Sequence, residues 1–504
     1  MLRLPFLAIL VWLVSPAGAT PPRLQEAVAR ALENNFDVRL NGFDYARTEV
    51  NIERAEANFD PTLSSSINYQ ERQSPGSQTD QSGNSSPSRE SVNGGFRVNK
   101  RTGLGTQITL STDASYSSFS EDTEASLGID VRQPLLGGAG KTVNLANVFR
   151  AKVRNESALL TYRGQVLDTI QGTVNAYWNL SFEQERMRLM ESSLELAENL
   201  LRENERRMEL GLATDLEVLQ AQASLATRRQ ALLDAELNIE TAHDELRRLQ
   251  GDDILLDYPE IALAMPAEIP SLPEVSEWYQ QVILRDFELR TIENSLAILE
   301  RDREVARRNL LPRVDLSLNG RALGRDSGTF GAYDAAIERN GYSWGAGISV
   351  SMPWGRRQSK ADARLAVLEL RKESTRRERA EYDKRLLARQ VLRDFRAALA
   401  QLEISNEQVA LQQRLFERER ASYRAGVEPF RSVLQAQRAL DNAQMDRISN
   451  LRRVIRQDTL RARLDHKLFN AFNVSWDISP QLTQFSELGS TSTLHSDRAK
   501  NPKL

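Results

Sequence analysis

Short runs in which every second residue is apolar alternate along this chain with long stretches whose apolar residues recur every three or four positions. In the first kind, Leu63, Ile67 and Tyr69 alternate with Ser64, Ser66 and Asn68, and Leu104, Ile108, Leu110, Ala114 and Tyr116 alternate with Gly105, Gln107, Thr109, Asp113 and Ser115. Leu127, Ile129 and Val131 alternate with Gly128, Asp130 and Arg132. Further on, Val314, Leu316 and Leu318 alternate with Asp315, Ser317 and Asn319, and Tyr342, Trp344, Ala346, Ile348, Val350 and Met352 with Ser343, Gly345, Gly347, Ser349 and Ser351. Successive strand side chains point to opposite faces, so these runs predict strands with one apolar and one wet face. A soluble half-buried sheet and a membrane barrel wall share that pattern. Three features favour the barrel. The runs are about 9–11 residues, the length a tilted strand needs to cross a bilayer. Tyr69, Tyr116, Tyr342, Trp344 and Trp354 sit near strand ends, where aromatic girdles form. Gln73 to Glu90, rich in Ser, Gln, Gly, Asn and Pro, reads as a long external loop. Val92, Gly94, Phe96 and Val98 also alternate with polar residues, so 92–116 reads as an additional hairpin. So few strands cannot close a barrel, and open edges are not tolerated in lipid, so several chains must share one.

The second pattern fills 142–208 and 357–423, both free of proline. At 1.5 Å per residue each would reach roughly 100 Å as a helix. Met187, Met190, Leu194, Ala197, Leu201, Asn204 and Met208 recur at alternating spacings of 3 and 4, as do Leu216, Leu219, Ala223, Ala226, Gln230, Leu233 and Leu237. A 3.5-residue repeat is a coiled-coil seam. An ordinary antiparallel coiled coil would show the same periodicity.

The chain is also written twice. At an offset of 251, Phe36 meets Phe287, Arg39 meets Arg290, Ala46 meets Ala297, and the register continues to Asn58/Asn309 and Pro61/Pro312. At an offset of 215, Gly211 meets Gly426, and Val218-Leu219-Gln220-Ala221-Gln222 recurs as Val433-Leu434-Gln435-Ala436-Gln437. The first copy is longer between its prolines: Pro61 to Pro134 is 73 positions and Pro312 to Pro353 is 41, an excess of 32. Each copy predicts a helix (Leu24 to Asn58; Leu272 to Asn309), strands, a very long helix, a glycine-centred turn and a further helix. Pro61 and Pro312 end the first helix of each copy.

Composition removes several chemistries. The 504 residues include no cysteine, which excludes disulfides, thiolate metal sites and a cysteine nucleophile. Three histidines, His243, His466 and His495, lie far apart, against a histidine-built metal or acid–base centre. With 66 basic and 69 acidic residues, the balance makes no case for nucleic acid. No catalytic constellation, cofactor motif or metal cluster is evident: Gly103-Leu104-Gly105 lacks the strand–turn–helix setting of a nucleotide loop. Residues 1–19 read as a secretory signal, with Arg3, an apolar run from Leu4 to Val14, and Ala17-Gly18-Ala19 before the cleavage point. No later stretch holds 18 consecutive apolar residues.

Leu24-Gln25-Glu26-Ala27-Val28, Asn58-Phe59-Asp60-Pro61 before a strand, Gln133-Pro134-Leu135-Leu136-Gly137-Gly138 before a long helix, and Gly211 followed by Val218-Leu219-Gln220-Ala221-Gln222 together resemble the TolC-like outer membrane efflux proteins, over nearly the whole mature chain. The resemblance implies an α+β membrane protein. Its trimeric outer-membrane β-barrel continues as a long periplasmic α-helical coiled-coil barrel, with two tandem structural repeats per chain. The organisation that follows is a first repeat over 20–250 with an extra hairpin near 92–116, an inter-repeat linker over 251–273, a second repeat over 274–468, and a C-terminal equatorial segment with a tail over 469–504. Four strands per protomer is the family pattern; the local reading of this chain is six.

By the same resemblance the chain is a homotrimeric channel in outer membrane lipid. It passes substrates from a proton- or ATP-driven inner-membrane transporter, through a periplasmic adaptor, to the exterior, in efflux or type I secretion. The turns around Gly211 and Gly426 become periplasmic tips, with Met208, Leu210, Gly211, Leu212, Tyr423, Ala425, Gly426 and Val427 as docking residues. Entrance charges would be Asp215, Glu217, Glu428 and Arg431. The second copy has neutral Ser432 and Gln435 where some family entrances carry acids, and a solvated helix start is the alternative role for Asp215 and Glu217. The rival to a channel is an exported coiled-coil scaffold whose strands build a soluble sheet. Metal cargo has no local support, and the sequence does not name another.

Overall fold

The two written copies fold into matching element orders. The computed structural model describes residues 22–72, 89–118, 122–252, 275–338 and 341–475. The first copy runs α1 (Pro22–Asn34), α2 (Phe36–Glu56), a 3-10 turn (Ala57–Phe59), β1 (Thr62–Arg72), β2 (Arg89–Arg101), β3 (Gln107–Ser117), β4 (Thr123–Pro134), α3 (Lys141–Asn144), α4 (Ala146–Glu209) and α5 (Asp215–Gln250). The second runs α6 (Val275–Arg285), α7 (Phe287–Arg308), β5 (Arg313–Asp326), α8 (Thr329–Ile337), β6 (Gly341–Ser351), α9 (Arg357–Arg424), α10 (Phe430–Leu464) and α11 (Lys467–Ala471). The expected leader and external loop (73–88), residues 253–274 and the chain after 475 lie outside the described residues.

Each predicted opening helix is in fact two. Asn35 separates α1 from α2: its Oδ1 accepts from the backbone N–H groups of Asp37 (2.9 Å) and Val38 (3.2 Å), and its Nδ2 donates to the Leu249 carbonyl at 2.8 Å. A side chain that satisfies the first free N–H groups of a helix sets a start there. At the same 251-residue offset, Asp286 separates α6 from α7 and accepts from the Leu289 N–H at 2.9 Å. The long helices follow the proline-free stretches, 64 residues in α4 and 68 in α9. The first of them is preceded by a separate turn, α3.

Helical ends also repeat. Gly251 closes α5 at φ 68°, and His466, 215 positions on, follows α10 at φ 61°. Glycine is required at the first site, because a Cβ there would stand 2.6 Å from the Asn34 carbonyl oxygen. His466 adopts the same left-handed backbone and packs its ring, tilted by 33°, against Phe287, centroids 4.3 Å apart.

Two compact units result, and both draw on both copies. One holds the described residues up to Asp44, Leu159–Leu289 and those from Arg379 onward; the other holds Tyr45–Ala158 and Arg290–Glu378. The first is helical. Its largest core packs α1, α4, α5 and α10 around Val166, Ile170, Leu180, Phe182 and Phe469, all at 3% exposure or less. Each such side chain stabilises the fold by about 1.5–3 kcal/mol through burial. Within one chain the buried stripes are offset from the predicted seams. The buried stripe of α4 is Met190, Ser193, Ala197, Leu200 and Asn204, so Leu194 and Leu201 lie beside it. On α5 the buried residues include Val218, Ala221 and Leu225, while Leu216, Leu219, Leu233 and Leu237 of the predicted seam are 53–65% exposed.

The second unit holds one six-stranded antiparallel sheet in the order β1-β2-β3-β4-β5-β6. The alternating pattern did not signal α8, a nine-residue helix between β5 and β6.

Replacing Asn35 by Ala removes the cap of α2 and the tie to Leu249, and should cost about 1–3 kcal/mol in thermal unfolding. Asn35→Ser keeps a hydroxyl acceptor for the first N–H groups of α2 and loses the tie without burying a charge, so its loss should be smaller. Equal losses would show that the cap contributes nothing.

Candidate conducting sheet and helix tips

Strand register sorts every side chain of the sheet to one of two faces. Across all six strands, Leu63, Val98, Leu110, Ile129, Gly320 and Trp344 stand opposite one another in one row. The adjacent row on the other face is Ser64, Arg97, Ser111, Gly128, Arg321 and Ser343. One face is therefore apolar from edge to edge and the other polar. Away from α8 (Thr329–Ile337) the apolar face is exposed: Leu63 is 72% exposed, Ile67 81%, Trp344 78% and Ile348 69%. A soluble half-buried sheet would have a protein layer over it.

Only α8 lies on that face among the described residues. Ala332 and Ala336 are fully buried against Gly324, where a Cβ would meet the Ala332 carbonyl at 2.1 Å. The Thr112 hydroxyl donates to Tyr333 Oη at 3.0 Å. Outward, α8 shows Phe330 and Ile337. The wet face carries ion pairs between strands: Arg132 and Arg313 both hold Asp315, at 2.5 and 3.0 Å, and Arg325 pairs with Glu124. Of the expected girdle aromatics, Tyr69 and Tyr116 flank Val92 in one row, and Tyr342 and Trp344 share their face two residues apart. Trp354 lies just beyond β6 and is wholly exposed.

In the helical unit, the α4–α5 and α9–α10 turns share one backbone solution. Gly211 and Gly426 have φ of 73° and 74°, the left-handed geometry that favours glycine. Leu212 N–H bonds the Arg207 carbonyl and Val427 N–H the Ser422 carbonyl, so both long helices end in a Schellman arrangement. Leu210 (74% exposed), Leu212 (65%) and Val427 (77%) project from the turns, and Met208 and Ala425 are also exposed. Tyr423, expected among the docking residues, is buried at 3% exposure in a cluster with Leu200, Phe416, Phe430 and Val433.

Tyr423 anchors a clasp between α4 and α9. Its hydroxyl donates to Asn204 Oδ1 at 2.5 Å, and the Arg207 guanidinium lies 4.5 Å from its ring centroid. One residue on, Arg424 grips Glu203 with two bonds of 2.9 and 3.1 Å. The Arg424 hydrogen bond holds the Glu203 carboxyl below its ordinary range, against the opposing effect of burial. Nothing in the sequence pattern marked Glu203, Asn204, Arg207 or Arg424 as partners, since they meet only through tertiary contact. Of the expected entrance charges, Glu217 closes a capping box with Thr214, accepting from its N–H at 2.8 Å. Asp215 starts α5 and is exposed; Glu428 accepts from the Ser432 hydroxyl, and Arg431 is exposed.

No described helix is long and apolar enough to cross a membrane. The amphipathic sheet, the two tandem copies and the very long paired helices define the class of outer membrane channel proteins. The chain belongs to the outer membrane efflux protein family, whose sequence profile matches residues 27–252 and 278–464, and it is a protein of the outer membrane. It is 28% identical over 355 residues to the pyoverdine export outer membrane protein OpmQ of Pseudomonas aeruginosa, with 68% of each chain covered. Its fold is similar to that of the outer-membrane channel OprN, with a TM-score of 0.67, 18% identity and 91% of each chain covered. The Campylobacter jejuni CmeC outer membrane channel gives a TM-score of 0.61 at 18% identity, covering 92% of this chain and 89% of that one.

Because the folded carboxyl of Glu203 titrates below its ordinary value of 4.5, its contribution is full at neutral pH and is lost as pH falls through that range. Glu203→Gln should lower stability at neutral pH by about 0.5–1 kcal/mol, a figure discounted for the exposed Arg424. Its difference from the parent should vanish in acid. Denaturant titrations at neutral pH and below pH 4.5 read this directly; a constant difference would mean that the ion pair is not its source.

Proposed function

We propose that three copies of this chain form a passive export duct, the outer membrane channel of a tripartite efflux or type I secretion system. The observation that carries it is the largely exposed apolar face of a sheet whose outer strands, β1 and β6, each have a neighbour on one side only among the described residues. In lipid that face is at its lowest free energy, but unpaired edge N–H and C=O groups are not. Pairing β6 of one copy with β1 of the next removes both edges and turns the polar face toward a water-filled bore.

The helical unit supplies independent support. Leu216, Leu219, Leu233 and Leu237 keep a 3.5-residue repeat and lie uncovered in a single chain. Such a seam is a place for a helix from another copy. The long helices would then wall a periplasmic tunnel, with the first 19 residues directing export. The turns at Gly211 and Gly426 would be its tips, where exposed Leu210, Leu212 and Val427 meet a periplasmic adaptor joined to a proton- or ATP-driven inner-membrane pump. Export is what the name of the similar OpmQ states, with pyoverdine as its cargo. The duct needs no catalytic group. An exported scaffold is disfavoured, because it would leave the apolar face in water.

The full chain should resist a salt wash of outer membranes, come out in detergent as a trimer, and conduct ions in a planar bilayer. A monomer released by salt would refute the duct. Leu210→Asp combined with Leu212→Asp should leave the trimer intact and reduce export by about tenfold or more, the scale at which apolar anchors contribute to interfaces. Export assayed in cells lacking the native copy, with adaptor cross-linking in parallel, tests this; undiminished export would remove the tip from the docking surface.

A further inference from the structure

We infer that the β2–β3 hairpin is part of the barrel wall, so that the pore is built of eighteen strands, six from each of three copies. The inference rests on the trimeric duct proposed above and concerns the count of strands in it. Three observations carry it. First, β2 and β3 are not an appendage on a four-stranded sheet but stand between β1 and β4, which have no pairing of their own. β1 pairs with β2 over eleven positions, from Thr62↔Asn99 to Arg72↔Arg89, and β3 pairs with β4 over ten. Removing the hairpin from the wall would break both ladders and leave a gap between β1 and β4.

Second, the hairpin keeps the face assignment of the strands beside it. Val92, Phe96 and Val98 on β2, and Ile108, Leu110 and Tyr116 on β3, lie on the apolar side in register with Tyr69, Leu63 and Ile129. Asn93, Arg97, Thr109 and Asp113 lie on the polar side. Because strand side chains alternate strictly, a hairpin in water beyond the membrane would gain nothing from that segregation. Third, an apolar groove of 440 Å³, bordered by Phe96, Val98, Leu110, Thr112, Leu127 and Ile129, crosses from β2 over β3 to β4. It is continuous with the face assigned to lipid, and an acyl chain is the occupant that its lining suits.

Both ends of the hairpin lie at the same end of the sheet, between the β1–β2 loop and the β3–β4 connection, so strand directions still alternate around a closed wall. Bore diameter grows roughly in proportion to strand number, so eighteen strands give a barrel about 1.5-fold wider than a trimer with four strands per copy. The outlet of this duct would then admit cargo of larger cross-section than such a trimer.

Electron microscopy of the full-length, unmodified trimer in lipid nanodiscs should show eighteen strands. Single cysteines give a second reading, clean because the chain has none of its own. In assembled trimers, a membrane-impermeant maleimide should label N93C, R97C and T109C at least about tenfold faster than F96C, L110C and Y116C, because one set faces water and the other lipid. A trimer with a twelve-stranded wall, or equal labelling of the two sets, would overturn the inference and leave the duct standing. A chain that native mass spectrometry shows only as a monomer would overturn both.

Discussion

The constraint on which everything else depends is the hydrogen-bonding of backbone at a sheet edge in lipid. A strand within a sheet satisfies its N–H and C=O groups on both sides, and an edge strand on one. In water the free side costs little. In hydrocarbon each unsatisfied group costs several kcal/mol. Among the described residues this chain has six paired strands, an apolar face covered only by α8, and outer strands that each have a neighbour on one side. Lipid on the apolar face and further copies on the edges meet both demands together; neither does so alone.

Duplication solved the junctions twice with different chemistry. Asn35 and Asp286 stand at equivalent positions and each caps the following helix, yet their remaining atoms are used differently. Asn35 spends its amide on a backbone carbonyl of α5, whereas Asp286 takes a Lys384 ammonium at 2.9 Å. The αL position after the fifth helix of each copy is held by glycine in one and by histidine in the other. Backbone geometry has been kept between the copies, and side-chain partners have drifted.

The tips show the same division. Gly211 and Gly426 give the two turns one geometry, but the clasp is one-sided: Tyr423 and Arg424 of α9 reach Asn204 and Glu203 of α4. The residue matching Tyr423 in the first copy is Met208, which has no hydroxyl to bond and is exposed. A buried phenol–amide bond beside a bidentate ion pair gives this end of the helices a rigid, polar lock within an otherwise apolar cluster. That places the exposed Leu210, Leu212 and Val427 on a braced support rather than on frayed helix ends.

Much of the architecture was legible from local pattern. Period-two alternation located the strands and their faces, because strand geometry fixes side-chain direction whatever packs above it. Proline-free stretches located the long helices, and the paired glycines the turns. What pattern could not place was anything set by a partner far along the chain. The Asn35 and Asp286 breaks needed a view of the caps; α8 is a short apolar run whose helicity depends on packing against Gly324. The coiled-coil stripe of α4 moved by one residue at Ser193 and Leu200, since a narrow 3.5-residue seam can face either of two neighbouring helices. The sequence by itself determined the faces and the duplication, both of which follow from one chain's own stereochemistry. Only the tertiary structure decided that six strands form one sheet and that Tyr423 is buried and bonded to Asn204, because pairing and burial are properties of residues brought together across hundreds of positions.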